Sequence, residues 1–168
     1  MREYMILTDS CCDFPAEMVE ELGLVIQPLS FMMENKEYFN YPDNREMDPH
    51  QFYELLRNGH TATTSAVNVA QYTELIEPLL QAGQDILILA FSSGLSTTFS
   101  SSAIAVDELR EKYPERKLIA IDSLCASLGE GLLLYLAAKK QQSGASIDEV
   151  ADYVRCLLYT SPSPRDRQ

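Results

Sequence analysis

The sequence predicts an α/β fold in which a mostly parallel β-sheet is flanked by helices on both faces. Short apolar runs of strand length recur along the 168-residue chain, and segments with helical periodicity lie between them. The composition, with 46% hydrophobic and 23% charged residues, is typical of a globular domain and not of a disordered or fibrous protein.

Four apolar runs are predicted to form the sheet. None shows the alternation of apolar and polar residues expected of a strand with one wet face, so they are predicted to be buried on both sides. The runs are residues 4–7, 24–26, 86–90 and 118–121. The polar, turn-rich segment 34–44 is predicted to be a hairpin or a loop.

Helical patterns separate these runs. They cover residues 15–22, 48–59, 69–80, 99–113 and 128–136. Pro78 lies inside the third pattern and is expected to kink or interrupt it. Ser146 and Glu149 have the spacing of a capping box and are predicted to open a last helix.

The net charge of −12 argues against two classes of partner, because an acidic chain repels both nucleic acid and anionic membrane surfaces. No stretch approaches the ~18 apolar residues of a membrane helix, so no integral membrane association is expected. The four cysteines lack paired C-x-x-C spacing, which predicts reduced thiols and a cytoplasmic location.

Polar residues cluster where each predicted strand ends. Because the carboxyl ends of parallel strands meet at one edge of a sheet, these clusters are expected to share that edge. Segment 61–65, just before a helical pattern, supplies one more cluster. The strand-end residues are Thr8, Asp9 and Ser10 after the first run, Ser30 after the second, Ser92, Ser93 and Ser96 after the third, and Asp122 and Ser123 after the fourth.

The run Ser92-Ser93-Gly94 has more hydroxyls than helix capping requires, because one oxygen satisfies a cap. A hydroxyl-rich helix start without Lys or Arg suits a single negative charge or a neutral oxygen better than a polyphosphate. Neither a G-x-x-x-x-G-K-[ST] motif nor a G-x-G-x-x-G motif after a strand is present, so no cofactor is predicted. Gly129 and Gly131 are interpreted as sites of close helix packing.

Five motifs, in order and at compatible spacing within residues 4–131, resemble those of the DegV family. They are ILTDSCCDFP, IQPLSF, TTSAVN, LAFSSGLSTTFSSSA and IAIDSLCASLGEG. The resemblance implies a two-domain α/β protein that binds a long-chain fatty acid between its domains. Such a protein presents the carboxylate to a separate fatty acid kinase and is not itself an enzyme. Ala66-Val67 in place of Gln-Pro, and Thr97 in place of Gly, depart from the family motifs and can alter acyl preference.

By this resemblance, Thr64 and Ser93 contact the fatty-acid carboxylate. Paired hydroxyls at a helix N-terminus offset the cost of burying a carboxylate and leave one oxygen open for phosphorylation. The supporting residues implied are Ser65, Ser92, Gly94, Ser96, Asp9, Ser10, Asp122 and Ser123. Apolar residues that can line the acyl site are Phe31, Met32, Met33, Leu95 and Phe99, although most such residues belong to the core.

Residues 1–155 are interpreted as the N-terminal domain of such a protein, with the second domain missing. Residues 156–168 are interpreted as a non-native tail. The reason is that residues 156–166 match the conceptual translation of a transposase adapter used in sequencing libraries. The tail is therefore left out of the fold prediction.

Three other functions stay open at this point. A serine hydrolase would use Ser93 as nucleophile, His60 as base and Asp9 or Asp122 to orient the histidine, although no G-x-S-x-G elbow is present. A metal site would need Asp9, Asp13 and Asp122, but the spacing marks no ligand set, and no metal is predicted. A protein that binds partners without a ligand is the third alternative.

Overall fold

The computed structural model describes residues 4–160 and has the predicted α/β fold. In chain order its elements are β1 (Tyr4–Asp9), a 3-10 turn (Ser10–Cys12), α1 (Ala16–Leu22), β2 (Val25–Gln27), β3 (Ser30–Met33), β4 (Lys36–Phe39), α2 (Pro49–Arg57), β5 (Ala62–Ser65), α3 (Val69–Gln81), β6 (Asp85–Ala90), α4 (Thr98–Lys112), β7 (Leu118–Asp122), α5 (Leu128–Gln142) and α6 (Ile147–Thr160). The strands form a parallel sheet in the order β2-β1-β6-β7 and an antiparallel sheet in the order β4-β3-β5.

The parallel sheet is the one predicted from the four apolar runs, and each of its strand pairs is parallel. Helices α1, α5 and α6 pack on one face, and helices α3 and α4 pack on the other. In β6, Leu87 and Leu89 point into the core on the side of α1, α5 and α6, while Ile86 and Ile88 point into the core on the side of α3 and α4. Because helices cover both faces, successive residues of a strand are buried alike, and no polar alternation appears in the sequence.

The antiparallel sheet is only partly foreseen by the sequence. Segment 34–44 contains the turn and return strand of a β3–β4 hairpin, and Glu34 and Asn35 have the positive φ angles (54° and 62°) of a type I′ turn. Ser30, expected at the end of the second strand, is instead the first residue of β3. Segment 61–65 contains β5. These strands have four residues each and expose many side chains, so no apolar run marks them.

Of the two outcomes predicted at Pro78, a kink or an interruption, helix α3 contradicts the interruption. It does not break at Pro78 and continues to Gln81. Pro78 lies in the last turn, so its missing N–H removes a single bond, and Ile76 and Leu80 are buried against the sheet on either side of it.

Helix α6 begins after the predicted capping box. The N–H and hydroxyl of Ser146 each donate to Glu149 Oε2 at 2.8 Å, and the Glu149 N–H donates to Ser146 Oγ at 3.4 Å. The helix continues through residues 156–160, the start of the tail predicted to be non-native, and residues 161–168 lie outside the described residues. Between residues 4 and 160, no helix has both the length and the apolar character that a bilayer span requires.

Candidate functional site

A cavity of about 600 Å³ lies where the end of β1 meets the antiparallel sheet. We call it the rim cavity. One side is the wall segment, residues 10–15, which follows β1; other sides come from β3, from Thr64 of β5, and from Phe52 and Tyr53 of α2. None of the lining residues is Lys or Arg. The cavity therefore offers an apolar interior with hydroxyl and amide groups at its sides, and Asp13 of the wall segment is the acidic residue among those that line it.

Aromatic rings form much of the cavity surface that α2 and β3 provide. Phe31 stacks on Tyr38 with ring centroids 5.4 Å apart and meets Phe52 edge to face at 5.3 Å. Of the apolar residues considered for an acyl site, Phe31 lines this cavity. The other four, Met32, Met33, Leu95 and Phe99, do not line it.

Thr64 lies on β5 directly opposite Phe31 of β3, and it lines the rim cavity. Its side chain is exposed, and no residue within 4–160 accepts or donates a hydrogen bond at its hydroxyl. Ser65 pairs with Ser30 and points to the other face of the strand, because successive side chains alternate. Thr64 is thus the hydroxyl of this pair that faces the cavity.

The wall segment is held by Asp9 and Ser10. Asp9 is fully buried and accepts from the N–H of Cys11 at 3.0 Å and from the N–H of Phe91 at 2.9 Å, which joins the end of β1 to the end of β6. Burial raises the pKa of Asp9, and the two backbone N–H donors oppose that rise. Ser10 Oγ accepts from the N–H of Leu29 at 3.0 Å, which ties the wall to the segment after β2.

The loop after β6 uses most of its hydroxyls to fix its own backbone. Ser92 Oγ accepts from the N–H of Gly94 at 3.2 Å. Ser96 Oγ accepts from the N–H of Thr98, the first residue of α4, at 3.2 Å and lies 2.9 Å from the Thr98 hydroxyl. Ser92, Gly94 and Ser96 therefore support the loop geometry.

Ser93 differs from its neighbours. Its N–H donates to Asp122 Oδ1 at 3.1 Å, and the same oxygen accepts from the N–H of Leu124 at 3.1 Å. Ser123 Oγ accepts from the N–H of Cys125 at 3.2 Å and so shapes the same loop. The Ser93 side chain is exposed, and its hydroxyl has no hydrogen-bond partner in the described part of the chain. Ser93 is not among the residues that line the rim cavity, and its meeting with Thr64 at one ligand stays a prediction.

His60 does not contact Ser93. Its Nδ1 lies 2.9 Å from Glu34 Oε1, at the turn of the β3–β4 hairpin. Neither Asp9 nor Asp122 hydrogen-bonds to His60 within residues 4–160, because their carboxylates accept from backbone N–H groups. The contacts that a Ser93–His60–Asp triad needs are therefore not made within this range.

Cys11 lines the cavity, but its thiol is not activated. Burial, and then the nearby Asp9 carboxylate, raises the pKa of the Cys11 thiol. Because the thiolate is the nucleophilic form of cysteine, a raised pKa disfavours covalent chemistry at this position.

The sequence did not indicate the role of Glu130. It lies in the first turn of α5, is fully buried, and accepts from the Thr8 hydroxyl at 2.8 Å. The prediction of close packing is confirmed at Gly131, where a Cβ would lie 2.7 Å from Phe14 Cε1 and 3.0 Å from the Cys12 carbonyl oxygen. It is wrong at Gly129, where a Cβ would meet Cys125 Cβ only at an ordinary contact distance of 3.4 Å. In the sequence, Glu130 is marked only by its position between two glycines. That position does not show whether the acid is buried or exposed.

Comparison with protein families gives a consistent result. A family model described as "Uncharacterised protein, DegV family" matches residues 3–157. A DegV domain-containing protein from Clostridium perfringens is 42% identical over 154 residues, which are 92% of this chain and 53% of that protein. Another from Caldanaerobacter subterraneus is 30% identical over 154 residues, which are 92% of this chain and 52% of that protein. The chain spans about half the length of these relatives.

Solved structures share the fold. A fatty-acid-binding DegV family protein from Thermus thermophilus has a TM-score of 0.81 and 26% identity, and the match covers 95% of this chain and 54% of that one. DegV from Bacillus subtilis, described as a fatty acid binding protein, has a TM-score of 0.79 and 25% identity, with 95% and 55% covered.

Proposed function

Because the chain belongs to the DegV family, we propose that it binds a long-chain fatty acid and holds the carboxylate through the hydroxyls of Thr64 and Ser93. The observation that carries this proposal is the rim cavity. Its volume of about 600 Å³ falls within the roughly 300–1,000 Å³ usual for small-molecule sites. Its aromatic surface around Phe31 suits an acyl chain, and Thr64 supplies a polar group at one side.

The hydroxyls of Thr64 and Ser93 are suited to a carboxylate because neither makes a hydrogen bond to another of residues 4–160. The hydroxyl oxygens of Ser92, Ser96 and Ser123 already accept from backbone N–H groups. Each free hydroxyl can donate one hydrogen bond, so two of them satisfy part of a carboxylate and leave lone pairs open. The fully buried Asp9 and the loop-fixing Asp122 support the position of Ser93, because they accept from the N–H groups of Phe91 and Ser93 in the loop after β6.

We propose further that the carboxylate is presented to a separate fatty acid kinase. A carboxylate oxygen must stay nucleophilic to attack the γ-phosphorus of ATP, forming a P–O bond as ADP leaves. Neutral hydroxyl donors leave that oxygen more reactive than a bidentate Arg would, and no Arg or Lys among residues 4–160 lines the cavity. All four cysteines are free thiols, which fits a carrier that works in the cytoplasm.

Binding of cis-parinaric acid, a fluorescent long-chain fatty acid, tests the proposal on the full 168-residue chain. Thr64→Val and Ser93→Ala each remove one hydroxyl donor. A hydrogen bond to a charged group contributes about 1.5–3 kcal/mol, so each variant is expected to weaken binding about tenfold or more. If both hydroxyls hold one carboxylate, the loss in the double variant is smaller than the sum of the single losses.

Thr63→Val is the matched control, because Thr63 is an exposed threonine on the other face of β5. Its dissociation constant is expected to stay within about twofold of wild type. Native mass spectrometry of the purified chain and a kinase assay for acyl phosphate complete the test. Absence of any bound acyl chain, or variants that bind as tightly as wild type, would overturn the proposal. Turnover of p-nitrophenyl esters that Ser93→Ala abolishes would show a hydrolase instead.

A further inference from the structure

Glu130 is a buried carboxyl group that the proposed function does not use. It is 0% exposed, and its Oε1 accepts from the Thr8 hydroxyl at 2.8 Å. Its Oε2 is also buried and has no hydrogen-bond partner within the described residues. Neither oxygen meets a Lys or Arg there. Burying such a group is costly, so its position calls for a physical reason.

The helix that carries Glu130 rests directly on the wall segment. At Gly131, the next residue, an added Cβ would lie 2.7 Å from Phe14 Cε1 and 3.0 Å from the carbonyl oxygen of Cys12. Cys12 and Phe14 both line the rim cavity. Because the two are in direct contact, a movement of the first turn of α5 is expected to displace the wall segment.

The groups around Glu130 are acids or neutral donors. Burial, and then the Asp9 carboxylate, raises the pKa of Glu130 to about 9. The protonated acid is thus the form that fits beside Asp9 at neutral pH. The titratable groups that face Glu130 are Asp9 of β1, Cys11, Cys12 and Asp13 of the wall segment, Tyr72 of α3, and Cys125 of the loop before α5.

We propose that Glu130 is a positioning residue: it seats α5 on the wall segment, and its ionisation loosens that wall and weakens acyl binding at alkaline pH. The acyl-binding part of this inference rests on the proposed function. When Glu130 loses its proton, a second negative charge stands next to Asp9 with no cation to balance it. Repulsion and the demand for water then favour a state in which the first turn of α5 has moved away from residues 10–15.

The test measures cis-parinaric acid binding at pH 7 and pH 10 for wild type, Glu130→Gln and Glu111→Gln. Glutamine keeps the shape of the protonated acid and cannot ionise. Glu111 is an exposed residue of α4 and serves as the matched control. The carboxyl group of the probe is ionised at both pH values. If acyl binding raises the pKa of Glu130 by one unit or more, the affinity for the probe is about tenfold or more lower when Glu130 is ionised. The affinities of wild type and Glu111→Gln are therefore expected to fall about tenfold or more between pH 7 and pH 10. Glu130→Gln is expected to match wild type at pH 7 and to change less than about threefold.

Hydrogen exchange of residues 10–15, corrected for the intrinsic effect of pH, reports on the wall without any ligand. Protection is expected to fall between pH 7 and pH 10 in wild type and to persist in Glu130→Gln. If no variant binds the probe at pH 7, the proposed function fails while this measurement still decides the role of Glu130. Affinity or protection that depends on pH equally in wild type and Glu130→Gln would overturn the inference. If Glu130→Gln does not fold, the wild type alone decides. The inference would be overturned if hydrogen-exchange protection of its residues 10–15 were the same at pH 7 and pH 10.

Discussion

Replacing Gly131 by alanine should destabilise the protein, although alanine is the better helix former. The added Cβ would lie 2.7 Å from Phe14 Cε1 and 3.0 Å from the carbonyl oxygen of Cys12. Phe14 is 8% exposed and the carbonyl belongs to the backbone, so neither atom can move aside cheaply. Overpacking of this kind costs about 1–3 kcal/mol, against a gain of up to about 1 kcal/mol from helix propensity. With the full propensity gain, the expected net loss in the free energy of unfolding is up to about 2 kcal/mol.

Gly129→Ala is the matched comparison in the same helix. Its Cβ would meet Cys125 Cβ at 3.4 Å and Cys125 Sγ at 3.8 Å, which are ordinary van der Waals contacts. This variant therefore gains helix propensity without a clash and should be as stable as wild type or up to about 1 kcal/mol more stable.

Urea denaturation followed by far-ultraviolet circular dichroism measures both variants, with the unfolding midpoint and slope fitted separately. Because both variants gain the same helix propensity, they should differ by the overpacking cost of about 1–3 kcal/mol, with Gly131→Ala the less stable. If Gly131→Ala proved as stable as Gly129→Ala, helix α5 would not be seated tightly on residues 10–15, and the proposed role of its first turn would lose its basis.

Three further predictions concern the polar edge of the sheet. Asp9→Ala leaves two backbone N–H groups without their acceptor and should lower the free energy of unfolding by about 2–4 kcal/mol in urea titrations; wild-type stability would contradict this. Ser96→Ala removes the acceptor of the first N–H of α4 and should cost about 1 kcal/mol, whereas Ser100→Ala, at an exposed position of the same helix, should stay within about 0.5 kcal/mol; thermal melts that rank them the other way would contradict this. The pKa of Glu130 is raised from 4.5 to about 9, so the stability it contributes is fully present below the unfolded value and is lost as pH rises towards 9. Between pH 6 and pH 8 the wild-type free energy of unfolding should fall about 1.4 kcal/mol per pH unit faster than that of Glu130→Gln, and parallel pH profiles would contradict the raised pKa.

The parallel sheet could be predicted because its environment leaves a direct trace in the sequence. Residues 86–90 are apolar throughout since helices cover both faces of β6. The capping box at Ser146 and Glu149 is equally local, as its two partners are three residues apart. Where one element decides the outcome by itself, periodicity and spacing are sufficient.

The antiparallel sheet and the buried acid depend on residues far apart in sequence. Thr64 faces the cavity only because β5 pairs with β3, and a four-residue strand with exposed side chains gives no periodic signal. Glu130 is buried because α5 packs against residues 10–15, and the hydroxyl that partners it, that of Thr8, lies 122 residues away in sequence. Pro78 is a further case in which local sequence does not decide the structure. Its helix propensity favours a break, but the buried residues before and after it keep α3 continuous.

Helix α2 contributes no fully buried residue, yet Phe52 and Tyr53 on it form part of the cavity surface. Part of the cavity surface is therefore formed by a helix that is weakly anchored to the rest of residues 4–160. This helix should detach locally at a small fraction of the free energy of global unfolding. A ligand that contacts Phe52 would bind only while α2 is in place, so it would raise the free energy of detaching α2. At a free ligand concentration one hundred times its dissociation constant, the increase is about 2.7 kcal/mol. Slowed amide exchange in α2 would then distinguish an occupied cavity from an empty one.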